Sequence, residues 1–288
     1  MPTGNLTTKE VARLLQVSEA TVKRWADDGV LRSKKTVGGH RRFSIQSNAR
    51  LRREQRIEPE SPPGGREKKD IAGTLLSVPS FTELLLRADE AETAAVLIDA
   101  YLKNRALPSL FDTTITEAMH RIGELWFTGE ITVADEHAAT RVLLNALQEL
   151  RSIILPGAPK GLKAICCGIE GDLHELPIHL AEMILESEGW DTTNLGPNTP
   201  LYALRDMMVQ KRPQLVCIAA RSVLDLDRAT TEYAKLRKVN EKLGAVAVLG
   251  GEGFRDPTLR ERFQADFYGE SFAAFSSFLR TLARKGKL

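Results

Sequence analysis

The stretch KAICCGIEGDLH, residues 163–174, joins a continuous apolar run to a polar end. An apolar run of this length without polar alternation is typical of a strand that is buried on both faces of a parallel sheet. Four more strand-like runs follow at 191–195, 214–220, 245–249 and 266–268, with helical segments near 175–188, 200–211, 225–242 and 271–284. The alternation predicts a five-stranded parallel sheet with helices on both faces over residues 160–288.

Three short motifs follow three of these strands: Asp172 and His174, Ser222 and Leu224, and Gly250 and Gly251. The carboxyl ends of the strands are where an open α/β sheet binds its ligands. A carboxylate that holds one ring nitrogen of a histidine fixes the tautomer and makes the other nitrogen a better metal ligand. The sequence therefore predicts a ligand site at this edge, with His174 as candidate metal ligand and Asp172 as its support.

The segment before the sheet, residues 76–157, reads as helix only. Ser80 and Glu83 predict a capping box at its start. A long helix is expected from about 110 to 128, and Thr132 is expected to cap the last helix, which buries leucines at helical spacing. Short turns between these helices predict a small helical bundle.

Charge separates the N-terminal segment from the rest of the chain. Residues 1–56 carry 13 Lys/Arg and 5 Asp/Glu, a net charge of +8, whereas the remainder carries 27 and 33, a net charge of −6. This asymmetry indicates a nucleic-acid-binding head on an acidic body. A merely solvated basic surface is the alternative that charge alone leaves open.

The pattern within this segment favours the head. A helix through Gln16, a turn at Val17-Ser18 and a second helix over 19–28 predict a helix-turn-helix, and the Gly38-Gly39 pair predicts a hairpin after it. The expected DNA contacts are polar and basic residues of the second helix and the hairpin: Thr21, Lys23, Arg24, Lys34, Lys35, His40, Arg41 and Arg42. Residues 57–75 are rich in proline, glycine and charge, which predicts a flexible linker.

Residues 21–25 of the second helix and the hairpin GGHRRF, 38–43, resemble the MerR-type winged helix-turn-helix head. The resemblance covers about 50 residues and implies binding to double-stranded operator DNA. The helix would meet base edges, and the hairpin cations would meet phosphates.

The order Asp-x-His, Ser-x-Leu and Gly-Gly on successive strand ends resembles the Rossmann-like cobalamin-binding domain. The resemblance implies that His174 is the lower axial ligand of cobalt and displaces the cofactor's dimethylbenzimidazole, whose nucleotide tail enters the sheet. It also implies that Asp172 holds His174, that Ser222 holds Asp172, and that Gly250 and Gly251 leave room for the tail. Pro177 departs from the family, which has glycine there, and removes an amide donor where the tail approaches.

In the bundle, Trp126 followed after nine residues by Glu136-His137 resembles CarH/LitR-type photoreceptor repressors. The resemblance implies that Trp126 caps the upper face of cobalamin, with Glu136 and His137 nearby. A core position in the bundle is the alternative for Trp126. Phe127 departs from light-responsive members, which have a histidine that takes the upper cobalt site after illumination.

The expected fold is multidomain, α and α/β: the MerR-type head (1–56), the linker, the bundle (76–157) and the five-stranded sheet (160–288). The resemblance implies a cytoplasmic, non-enzymatic transcriptional repressor and photoreceptor that binds cobalamin, expected as adenosylcobalamin, and self-associates as a dimer or homotetramer. Two alternatives remain: a regulator whose pocket holds another tetrapyrrole or no cofactor, and a corrinoid methyl carrier or cobalamin enzyme component.

Composition excludes other classes of protein. The sequence has no run of about 18 apolar residues, and residues 1–9 lack an apolar signal core, so neither a membrane span nor secretion is expected. Cys166, Cys167 and Cys217 lie in predicted strands, which indicates reduced core residues rather than disulfides or metal ligands.

Overall fold

The computed structural model describes residues 5–14, 18–36, 38–44, 76–103 and 105–284. The expected linker, 57–75, and the turn residue Val17 lie outside the described residues. The chain divides into two compact units, Met1–Leu155 and Pro156–Leu288.

The head contains two helices and a three-stranded antiparallel sheet. Its elements are β1 (Asn5–Thr7), α1 (Thr8–Leu14), α2 (Glu19–Asp27), β2 (Ser33–Lys35) and β3 (Arg41–Ser44), with strand order β1-β3-β2. Ser18 begins α2, because its side chain accepts a hydrogen bond from the Thr21 amide at 3.1 Å. Val22, Leu31 and Phe43 are buried in the core, and Trp25 packs against them. The helix pair and hairpin were predicted, whereas β1 was not.

The bundle follows as α3 (Val78–Leu86), α4 (Glu90–Leu102), α5 (Leu107–Leu110), a π-helical segment (Phe111–Thr116), α6 (Glu117–Phe127) and α7 (Val133–Ile153). The predicted long helix is therefore the run from α5 to α6, with a π-helical segment that the sequence pattern does not reveal. The predicted cap at Ser80 was wrong, because Ser77 begins α3 and accepts from the Ser80 amide at 3.4 Å. Thr132 does cap α7, in a capping box with Asp135.

The second unit is the predicted α/β domain. Its elements are β4 (Lys163–Gly168), α8 (Leu176–Ser187), β5 (Asp191–Asn194), α9 (Leu201–Lys211), β6 (Leu215–Ala219), α10 (Leu226–Leu243), β7 (Val246–Gly250), a 3₁₀ turn (Glu252–Arg255), α11 (Pro257–Arg262), β8 (Phe267–Gly269) and α12 (Phe272–Arg284). All five strands are parallel, in the order β5-β4-β6-β7-β8. The connection from β4 leads to β5 on one side and the chain then continues with β6 on the other side of β4, so the strand order reverses between β4 and β6 and their carboxyl ends form the switch point of the sheet.

Apolar strand residues hold this sheet between its helices. Cys166, Cys167 and Cys217 are free thiols buried in β4 and β6, as predicted. Burial raises the pKa of all three, that of Cys217 to about 12, so the thiols stay protonated. Among the described helices, none combines the length and apolarity that crossing a membrane requires.

Candidate cofactor and nucleic-acid sites

The residues predicted for the ligand site converge on one edge of the sheet. Asp172 and His174 follow β4, Ser222 and Leu224 follow β6, Gly250 ends β7 and Gly251 follows it. Because β4, β6 and β7 are consecutive neighbours in the sheet, these groups lie at the switch point itself.

Asp172 and His174 form a tightly held pair. Oδ1 of Asp172 accepts from the His174 amide at 3.0 Å and lies 2.6 Å from Nδ1 of the imidazole. The carboxylate is 4% exposed and the imidazole 52% exposed. Since a carboxylate only accepts, Nδ1 carries the proton, and Nε2 makes no hydrogen bond to any described residue. An outward nitrogen with a carboxylate behind it suits a metal ligand.

The electrostatics of Asp172 favour the charged carboxylate. Burial raises its pKa, but hydrogen bonds from the His174 ring, the Arg221 amide and the His174 amide outweigh burial and hold that pKa below its usual value. The negative charge stays next to the imidazole, where it orients the ring.

The support of Asp172 from β6 differs from the expected one. Ser222 was expected to hold Asp172, but Oδ2 accepts from the backbone amide of Arg221 at 2.5 Å. The Ser222 side chain is exposed and makes no hydrogen bond to Asp172 in the described part of the chain. A backbone amide gives no signal in the sequence, so the Arg221 contact was missed.

The rim of the site is apolar and exposed. Leu173 is 73% exposed and Leu224 is 74% exposed. Leu224 lies against Gly171, where an added Cβ would come within 2.8 Å of its Cδ1. Two exposed leucines beside an available imidazole nitrogen fit a large, partly apolar ligand better than a bare ion.

The two predicted glycines differ in what they require. Gly251 has φ +93°, and a Cβ there would collide with the backbone of Ala220. A Cβ on Gly250 would meet only the Gly269 carbonyl at an ordinary 3.6 Å. The backbones that follow β6 and β7 therefore approach closely at Gly251, and this approach requires glycine there.

Pro177 lies in the first turn of α8 and leaves the fold intact. It still removes one amide donor at the mouth of the site. Together, the outward imidazole and the apolar rim are compatible with a large ligand such as cobalamin.

On the bundle, Trp126 and Phe127 end α6 with their side chains 47% and 84% exposed. Ile115 and Ile122 on the same helical run are fully buried, so the core interpretation of Trp126 is not supported. Glu136, in the first turn of α7, accepts from Thr140 at 3.1 Å and lies 3.5 Å from Nε2 of His137. An exposed tryptophan, phenylalanine and histidine give this end of the bundle an aromatic surface.

The head presents most of its predicted cations to solvent. Lys23, Arg24, Lys34, Lys35 and His40 are exposed, and Thr21 and Arg42 are half-buried. On β3, Arg42 stands opposite Lys34 in register, and like charges opposite each other are unfavourable unless an anion screens them. This pair is suited to a phosphate.

Arg41 has a different role from the expected phosphate contact. Its guanidinium donates to the Lys23 carbonyl at 2.9 Å and to Asp27 Oδ1 at 2.6 Å, and its side chain is only 17% exposed. The hydrogen bond from Arg41 holds the pKa of Asp27 below its usual value. Arg41 therefore braces the hairpin against α2, a role that the basic pattern of the sequence hides.

Comparison with known protein families gives separate matches for the head and for the bundle. Residues 6–47 match a family described as a helix-turn-helix domain, and residues 80–151 match a family described as a B12 binding domain. The head and the bundle therefore each have a recognised family.

Two similar curated proteins are HTH-type transcriptional repressors of Myxococcus xanthus. CarA is 25% identical over 86% of this chain and 87% of its own length, and CarH is 26% identical over 76% and 81%. The monomethylamine corrinoid protein of Methanosarcina barkeri has a similar fold, with a TM-score of 0.61 and 15% identity over 73% of this chain and 99% of its own. The two family matches and the two repressors confirm the resemblance to CarH-type regulators, and the corrinoid protein confirms the fold.

Proposed function

We propose that this CarH-type chain is a cobalamin-dependent transcriptional repressor whose binding to operator DNA depends on light. It would act in the cytoplasm, where bacterial DNA lies. The observation that carries the proposal is the Asp172–His174 pair at the switch point, in a chain that also has a helix-turn-helix head.

The residues at the sheet edge have distinct tasks in this proposal. Nε2 of His174 would be the cobalt ligand, and Asp172 would keep the imidazole oriented. Trp126, exposed at the end of α6, would contribute an aromatic contact to the bound cofactor. Bound adenosylcobalamin supplies a cobalt–carbon bond that light cleaves.

The head supplies affinity for double-stranded operator DNA. One small head buries little surface and binds weakly on its own. Self-association into dimers or tetramers would join several heads and raise their effective concentration on repeated sites. A ligand can drive this assembly only by binding the assembled state better, and the adenosyl group against Trp126 would supply that difference.

Phe127 changes the expected response to light. The side chain of Phe127 has no donor atom for a metal, so position 127 would supply no histidine ligand to cobalt after illumination. We expect this light state to be reversed by fresh adenosylcobalamin more readily than that of a variant with a histidine at the same position.

The experiment is an absorption spectrum and a solution mass, taken with adenosylcobalamin in the dark and after green light. The wild type should assemble in the dark and dissociate in light, and Phe127→His should prolong the light state. An oligomer that is indifferent to both cofactor and light, or a wild-type light state with two histidine ligands, contradicts the proposal. Absence of any cobalamin spectrum would favour another tetrapyrrole or none.

A further inference from the structure

The loop that carries Asp172 and His174 has no regular secondary structure of its own, yet its backbone is fixed from the neighbouring strand end. The Asn198 amide donates to the Asp172 carbonyl at 2.8 Å, and the Gly171 amide donates to Oδ1 of the Asn198 side chain at 2.8 Å. A single residue in the turn after β5, Asn198, thus binds two consecutive residues of the loop after β4, Gly171 and Asp172.

Asn198 holds this position in an unusual conformation. Its φ is +53°, and only Ala88 and Arg212 share a positive φ among the described residues other than glycine. Asparagine tolerates the left-handed region better than most residues, and such conformations persist where the surrounding contacts demand them. Glycine would adopt this φ with less strain, but it has no side-chain oxygen for the Gly171 amide.

The base of Asn198 is itself anchored in the sheet. The next residue, Thr199, donates from its amide to the Gly168 carbonyl at 2.8 Å, and the Gly168 amide donates to the Gly196 carbonyl at 2.9 Å. Asn198 is therefore attached to the end of β4 immediately before the loop that it binds.

A second series of hydrogen bonds supports the turn after β5 that contains Asn198. The Gly196 amide donates to Oδ1 of Asn194, and Nδ2 of Asn194 donates to Glu182, each at 2.8 Å. Glu182 lies on α8 and is 6% exposed. Hydrogen bonds thus run from a buried carboxylate through the turn after β5 to the loop of the candidate cobalt ligand.

We infer that Asn198 is a positioning residue for His174, since it fixes the loop in which Asp172 orients the imidazole. The inference rests on the proposed cobalamin function. A loop that is already ordered loses less conformational freedom when the ligand binds. The hydrogen bonds of Asn198 therefore raise the affinity for cobalamin and the share of cobalamin that His174 ligates.

The test compares Asn198→Gly with the conservative Asn198→Asp in the full chain. Asn198→Gly keeps the backbone amide and the favourable φ but removes the bond to Gly171, whereas Asn198→Asp keeps an oxygen acceptor. Arg212→Gly is the matched control, because Arg212 is exposed, has φ +48° at the end of α9 and does not contact the loop.

Two measurements need no cofactor. In Asn198→Gly the Gly171 amide should exchange with deuterium about fivefold faster, which is what loss of one ordinary hydrogen bond gives, and the His174 ring should lose part of its Nδ1–H form in nitrogen NMR. Asn198→Asp should restore both, and Arg212→Gly should change neither. Unchanged exchange and tautomer in Asn198→Gly would overturn the inference even if no cobalamin binds.

The third measurement uses adenosylcobalamin in the dark. Asn198→Gly should bind it about fivefold more weakly, with a smaller histidine-ligated share in the spectrum, and Asn198→Asp should recover most of both. If Asn198→Gly binds adenosylcobalamin like the wild type, the hydrogen bonds of Asn198 do not position His174. If the wild type itself binds no cobalamin, the proposed function fails, whereas the two cofactor-free measurements still decide whether Asn198 holds the loop.

Discussion

The hairpin of the head and the carboxyl edge of the sheet both offer polar side chains to a ligand, but they fix those side chains in different ways. On β3, alternation sends Arg41 inward with Phe43 and leaves Arg42 beside Lys34. At the sheet edge, loop residues are held by backbone groups of other strands, at 2.5 Å from Arg221 and 2.8 Å from Asn198.

The difference follows from what each ligand requires. Phosphate contacts position a protein on DNA and tolerate mobile cations, because the attraction is long-range. A metal ligand must hold its geometry within a fraction of an ångström. Exposed cations would therefore suffice for the proposed phosphate contacts in the hairpin, whereas the proposed metal ligand His174 would need the support of a buried carboxylate and two neighbouring strand ends.

The sharpest test of the sheet edge is His174→Ala. Loss of the axial nitrogen should abolish the histidine-ligated spectrum and weaken adenosylcobalamin binding by more than the 10- to 100-fold that loss of a supporting group costs. Titration followed by absorption measures both. Identical spectra and affinities for the variant and the wild type would remove His174 from the site.

Two further variants separate the support expected from the sequence from the support seen in the structure. Asp172→Ala should weaken cobalamin binding about 10- to 100-fold. Ser222→Ala should bind nearly as the wild type does, because the Arg221 amide rather than the hydroxyl holds Asp172. Isothermal titration of both variants checks this, and equal losses would restore the original role of Ser222.

The sequence predicted the sheet well because burial on both faces leaves a strong pattern. The expected strand 163–169 is Lys163–Gly168, and 214–220 is Leu215–Ala219. Asp172, His174 and Gly251 were also predicted to lie at one edge of the sheet, because each of them follows the end of a strand. These are features that residue type and order encode directly.

What the sequence did not predict depends on backbone groups and on distant partners. The Arg221 amide is the same group in any residue except proline, and the inward turn of Arg41 depends on Asp27 lying 14 positions earlier. The π-helical segment at Phe111–Thr116 has no local signature. Both Ser77 and Ser80 precede an apolar run, so the sequence alone does not show which of the two serines caps α3.

In the hairpin, adjacent arginines provide a matched pair. Arg42→Ala should weaken operator binding and lower the salt slope by about 0.9, as loss of one phosphate contact does. Arg41→Ala should weaken binding with an unchanged salt slope, because its guanidinium braces α2 instead. Binding measured over a range of salt, with Lys238→Ala as control, distinguishes them; a lower slope for Arg41→Ala would contradict the brace.

The smallest expected effect concerns the acidic partner of the brace. Asp27→Asn should lower the thermal stability of the head slightly, because Arg41 keeps its bond to the Lys23 carbonyl and the Asp27 side chain is 63% exposed. The pKa of Asp27 is lowered in the folded head, so its stabilisation is present above the unfolded value of about 3.9 and is lost as the pH falls through the folded value. The wild type and the variant should therefore differ at neutral pH and converge in acid.

Fluorescence of Trp25 in a Trp126→Phe, Trp190→Phe background reports the head alone, and Asp28→Asn, which changes a neighbouring exposed carboxylate, is the control. A difference that persists in acid, or an equal effect of Asp28→Asn, would show that the charge of Asp27 does not support the brace.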